Sequence, residues 1–92
     1  MTIARSIRIE GQVQGVFFRD WTVATASALG LRGWVRNRRD GSVEALAIGP
    51  DEAIDRLIAA CHDGPELSRV DAVTVADADI EELERFERRR TA

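Results

Sequence analysis

The chain predicts an α+β sandwich, with two helices covering one face of a four-stranded antiparallel sheet. Three observations carry this expectation. An alternating apolar pattern opens the chain, two stretches of helical periodicity flank an Asp-Gly hairpin, and a valine-rich strand follows the second helix. The order β-α-β-β-α-β contains two βαβ-like crossovers, and their common hand places both helices on the same side.

Ile3, Ile7 and Ile9 share one parity while Arg8 and Glu10 take the other, as a half-buried strand requires. Gly11 and Gly15 bracket the loop that follows. From Arg19 to Leu29 the residues are good helix formers, with Trp21, Ala24 or Thr25, and Ala28 at helical spacing; Gly30 is placed to end the helix. Gly33–Asn37 and Ser42–Ile48 read as strands joined through Arg38-Arg39-Asp40-Gly41, because Asp-Gly accepts the positive φ of a tight hairpin turn. Pro50 suits the first turn of a second helix, in which Ile54, Leu57, Ile58 and Cys61 form one apolar stripe before Gly64-Pro65 stops it. Val70, Val73 and Val75 mark the fourth strand, with an irregularity near Asp71-Ala72. The tail reads two ways: a helix over Asp79–Arg90 supported by charges four apart, or a short edge strand around Phe86–Arg89. With no linker or repeat, residues 1–92 are expected to form a single domain of the ferredoxin-like type. That fold hosts many activities and assigns none.

Composition narrows the function. A hydrophobic fraction of 45% and a charged fraction of 32% exclude wholesale disorder. The net charge of −3 and pI near 5.1 argue against a nucleic-acid-coating protein, which needs a basic face. Thirteen arginines supply every positive side chain, a usage that suits phosphate and carboxylate but that a biased genome also produces. Arg32, Arg36, Arg38 and Arg39 form a local basic cluster. One cysteine and one histidine rule out an internal disulfide and a Cys/His metal site, so no metal is expected. No stretch has signal-peptide or membrane-spanning length, which points to a cytoplasmic protein without a membrane partner.

The chemistry is concentrated in Gly11-Gln12-Val13-Gln14-Gly15-Val16-Phe17-Phe18-Arg19. Successive N–H groups in such a turn can converge on an anion, and the helix that follows adds free donors and a partial positive charge. An arginine in the first helical turn opposes the helix dipole, which favours an anion beside it. From spacing alone, a plain turn followed by a solvated arginine fits equally well. The loop matches neither the Walker pattern nor the dinucleotide fingerprint.

With a second segment, this loop resembles the acylphosphatase family. The first signature of that family, Gly-x-Val-Gln-Gly-Val-x-Phe/Tyr-Arg, is met by Gly11, Val13, Gln14, Gly15, Val16, Phe18 and Arg19. The second is met by Gly33-Trp34-Val35-Arg36-Asn37 and then Gly41, Val43 and Gly49; Thr22 and Leu29-Gly30-Leu31 also look like the family. The resemblance covers residues 3–76 and is looser in the tail, through Phe86 and Arg88. It implies a ferredoxin-like sandwich that hydrolyses small acyl phosphates to a carboxylate and inorganic phosphate without a cofactor. By the same resemblance Arg19 holds the phosphate with the N–H groups of Gln14, Gly15, Val16, Phe17 and Phe18, and Asn37 orients the attacking water. Arg38 departs from the small or polar residue common there in the family.

Other features have plainer readings. Trp21 and Trp34 are expected to pack, Cys61 to be a buried small hydrophobe, His62 to face the carboxyl end of its helix, and Asp77–Glu84 to be solvated. Arg38 and Arg39 are expected to cap the hairpin rather than widen an anion site. Two other classes compete: a non-catalytic sensor using the same loop, and an RNA-binding module, against which the missing aromatic RNP pattern weighs. No apolar patch argues for a dimer, so a monomer is expected.

Overall fold

A computed structural model describes residues 1–92. Its elements are β1 (Thr2–Gln12), α1 (Phe18–Ala28), β2 (Arg32–Asn37), β3 (Val43–Pro50), α2 (Asp51–Asp63), β4 (Arg69–Asp77) and β5 (Phe86–Arg88). The sheet runs β4-β1-β3-β2-β5. The first four strands pair antiparallel as expected, and β5 adds a fifth, parallel to β2.

Strand parity builds the core. Ile7 and Ile9 on β1, Val35 on β2 and Val43, Ala45 and Ala47 on β3 meet Phe18 and Ala26 of α1 and Ile54, Leu57 and Cys61 of α2. The α2 stripe is therefore the one its periodicity indicates, with Ile58 packed at its margin. The fourth strand carries its irregularity where the valines change spacing. Glu10 pairs with Ala72 and Gly11 with Val70, so Asp71 is the extra residue of a bulge. Gly11, at φ 131°, lies so close to that bulge that a Cβ would overlap the Arg69 carbonyl oxygen.

The tail adopts the strand reading and not the helical one. Ala4, Trp34, Leu46 and Ile48 form a second apolar patch on the helix-free face, and Ala78 and Leu83 pack over it. The segment between β4 and β5 thus crosses the sheet from one edge to the other. It is tied down by the Ala78 N–H on the Ala4 carbonyl (3.3 Å) and the Gly33 N–H on the Arg85 carbonyl (3.1 Å). Phe86 then enters the main core. Burying that ring and covering Trp34 outweighs the few tenths of a kcal/mol that charge pairs four apart offer a helix. No helix is long and apolar enough to cross a membrane.

Candidate active site

The loop from Val13 to Phe17 turns the chain out of β1 and into α1. Gly15 and Phe17 have φ of 74° and 63°, with Val16 between them. Left-handed residues spaced in this way turn successive N–H groups towards one side. No backbone N–H from Gln14 to Asp20 donates to a protein backbone acceptor. These donors lie beside the positive end of α1, and Phe17 occupies the N-cap without a side-chain cap.

Gly15, Phe17, Phe18 and Arg19 line a cavity of about 250 Å³ with Asn37, Val13, Asp20 and Arg88. That volume is below the roughly 300–1,000 Å³ of drug-sized sites and suits a small ligand. Arg19 and Asn37, eighteen positions apart in sequence, therefore share one space. Arg19 is half-buried, and its Nη1 donates to the Arg89 carbonyl at 3.1 Å. The carboxylate beside it in sequence, Asp20, pairs instead with Arg88 at 3.0 Å. Asn37 closes β2 on the helix-facing parity of Val35, and its main-chain carbonyl accepts the Ala92 N–H at 3.0 Å.

Gln14 and Val16 are not among the residues that line the cavity. Val16 packs against the core. The Gln14 amide donates to the carbonyls of Arg38 (2.7 Å) and Ser42 (2.9 Å), clamping the phosphate-loop candidate to the β2–β3 hairpin. Any contact of these two residues with an anion is left to their main-chain N–H groups.

The hairpin itself is held by charge. The Asp40 carboxylate accepts the Ser42 hydroxyl (2.6 Å) and N–H (2.9 Å) and also pairs with Arg8. The two bonds from Ser42 and the Arg8 charge pull its pKa from 3.8 to about 2. Partial burial pushes the Glu44 carboxyl up, but hydrogen bonds from Arg36 and Arg38 outweigh it, so Glu44 sits below its ordinary value. Arg38 thus faces Glu44 at 3.0 Å, away from the cavity, and Arg39 joins the hairpin to Ala92 through its N–H.

Of the cavity residues, Val13, Asp20 and Arg88 are those to which the sequence assigns no role at the site, and Asp20 and Arg88 are the charged ones. Their signals were slight: an acid in a first helical turn, and parity with Phe86 in a tail whose docking depends on tertiary packing. The two tryptophans pack, as expected. Trp21 meets Phe18 edge to face (5.2 Å), and the guanidinium groups of Arg36 (4.7 Å) and Arg89 (5.1 Å) lie over the Trp34 ring. Cys61 is fully buried, its thiol pushed up to about 12 by desolvation, which suppresses thiolate chemistry.

The acylphosphatase family model matches residues 5–88. An acylphosphatase of Rhizorhabdus wittichii is 57% identical over 75 residues, covering 82% of this chain and 76% of the relative. The crystal structure of an acylphosphatase from Bacillus subtilis superimposes with a TM-score of 0.89 at 38% identity, covering 95% of this chain and 97% of the other. The structure of an acylphosphatase from Coxiella burnetii gives a TM-score of 0.92 at 33% identity, covering 96% and 93%.

Proposed function

The chain belongs to the acylphosphatase family, and on that premise we propose that residues 1–92 act as one domain hydrolysing small acyl phosphates through Arg19, the loop N–H groups and Asn37. The observation that carries this reading is the shared cavity, lined by a guanidinium without a carboxylate partner, by Gly15, Phe17 and Phe18 of a loop whose N–H groups have no backbone acceptor, and by Asn37.

In the proposed reaction the substrate phosphoryl group sits against the N–H groups of Gln14–Phe18, and Arg19 spreads a planar fork over its oxygens. Asn37 holds one water by hydrogen bonds. The water oxygen attacks phosphorus as the bond from phosphorus to the acyl oxygen breaks, and the carboxylate departs with that electron pair. One water proton passes to a phosphoryl oxygen, so the products are a carboxylate and inorganic phosphate.

A carboxylate is a good leaving group, so no strong general acid is called for. Phosphoryl transfer of this kind is served by positioning and by charge stabilisation of the phosphoryl oxygens. Asn37 is too weak a base to ionise water and acts by placement alone.

The test is hydrolysis of acetyl phosphate in EDTA by wild type, Arg19→Ala and Asn37→Ala, with phosphate binding measured alongside. Arg19→Ala is expected to lose both binding and turnover. Asn37→Ala keeps phosphate affinity within about threefold while kcat falls about 10²–10³-fold, the usual effect of deleting one preorganised polar group. Equal loss of affinity in both variants would refute this division of labour. Phosphate binding without turnover in the folded wild type would point to a sensor.

A further inference from the structure

The proposed hydrolysis gives partners to the phosphoryl group and the water but none to the acyl group. Resting on that reading, we propose that Phe17 recognises the acyl group, and that it favours acyl phosphates with an aromatic or extended apolar acyl chain over small ones.

Phe17 is a poor choice on folding grounds alone. It is the one non-glycine residue with positive φ, at φ 63° and ψ 26°. Side chains with a Cβ are disfavoured there, and asparagine or glycine would accept the conformation more readily. A large residue held in such a conformation usually gains something from packing, yet Phe17 is 73% exposed. It makes no cap for α1. Its neighbours hold the loop without it: Phe18 is buried in the core, and the Trp21 N–H reaches the Phe17 main-chain carbonyl at 3.0 Å. The ring therefore adds little to the native state from within the chain.

Its position supplies a use. Among the exposed large apolar residues, Met1, Phe17, Leu67, Val75 and Ile80, Phe17 alone is aromatic and alone lines the cavity that holds Arg19 and Asn37. With the phosphoryl group seated on the loop N–H groups as proposed, the acyl substituent is left to the rest of that cavity, whose lining includes Phe17. An exposed aromatic face there offers a flat apolar group a stacking or edge-on partner and covers surface otherwise in water. An acetyl group is too small to gain much from it. Strain kept at a site that needs no strain to fold is the kind of outlier from which a functional role can be inferred.

The experiment compares kcat/KM for benzoyl phosphate and acetyl phosphate in wild type, Phe17→Leu and Phe17→Asn. Asparagine tolerates the left-handed conformation, so the loop keeps its path. Taking the ratio of the two substrates cancels any change in phosphate binding itself. The benzoyl-to-acetyl ratio is expected to fall about tenfold in Phe17→Asn, the size of one aromatic contact, and by less in Phe17→Leu. An unchanged ratio in Phe17→Asn would overturn the proposal. Calorimetric binding of benzylphosphonate and methylphosphonate reads the same contact without turnover. A wild-type preference for the benzyl ligand that Phe17→Asn loses supports the proposal, and equal affinities in wild type overturn it. If wild type hydrolyses neither acyl phosphate, the hydrolase reading fails, and this binding ratio alone decides the role of Phe17.

Discussion

The guanidinium of Arg19 donates to the main-chain carbonyl of Arg89 at 3.1 Å, across 70 positions of sequence. The arginine of the first helical turn is thus aimed by the residue just after the last strand. Its remaining N–H groups stay available to a ligand, since a guanidinium carries five donors in a rigid fork. Lysine cannot reproduce both functions, because a single ammonium that bonds the carbonyl no longer offers a planar pair to phosphate. Arg19→Lys is expected to lower kcat/KM for acetyl phosphate about 100-fold, with thermal unfolding within a few degrees of wild type. Retention of more than about half the activity would show that charge alone suffices.

Gln14 joins two parts of the site that carry different duties. Its side chain clamps the Arg38 and Ser42 carbonyls, and Asn37 lies one residue before Arg38. Gln14→Leu removes two neutral hydrogen bonds and leaves two part-buried carbonyls without that donor. Stability is expected to fall by about 1–3 kcal/mol in urea unfolding. The kinetic effect should fall on kcat as well as on KM, since the clamp ties the hairpin bearing Asn37 to the loop bearing the phosphate donors. A rise in KM with unchanged kcat would contradict this.

Asp40 gives the hairpin a dependence on pH. Its carboxyl is held at about 2, below the ordinary 3.8, chiefly by Ser42 and then by Arg8. A depressed folded-state pKa means that the ionised form is favoured by folding. The contribution is complete above the unfolded value and is lost as pH falls through the folded one. The urea midpoints of wild type and Asp40→Asn, which keeps the turn sequence, are therefore expected to differ by a constant amount above about pH 5. The gap should close between about pH 4 and pH 2. A gap that widens on acidification would reverse the sign assigned to Asp40.

Much of this architecture was legible because local signals and burial agree. Ile7 and Ile9 alternate with charge and are buried; Ile54, Leu57 and Cys61 recur at helical spacing and are buried. Even the bulge at Asp71 shows as a slip between Val70 and Val73. The tail was not legible in that way. Its glutamates and arginines satisfy a helix locally, and only the docking of Leu83 near Trp34 and of Phe86 in the core selects a strand. For the same reason Arg88, and its pairing with Asp20, lay beyond local reading. Gln14 shows the converse. Its place in the loop motif implies a main-chain N–H for phosphate and says nothing of its side chain, which is committed to two carbonyls that only the folded hairpin brings near. Short-range pattern reports the elements, and long-range packing decides which side chains are free for chemistry.

The sheet order carries a consequence for how the molecule assembles. The first strand lies between β3 and β4, so Ile7 faces Ala45 on one side and Val75 on the other. Closing the second pairing spans most of the chain, and such non-local contacts cost loop entropy before they return any stability. The first strand therefore completes its two-sided pairing only with the fourth in place, and Arg89 reaches Arg19 only with β5 docked beside β2. Helices and hairpin can form early, while the anchor of Arg19 is among the last contacts available to a refolding chain. Recovery of competence should consequently trail recovery of shape.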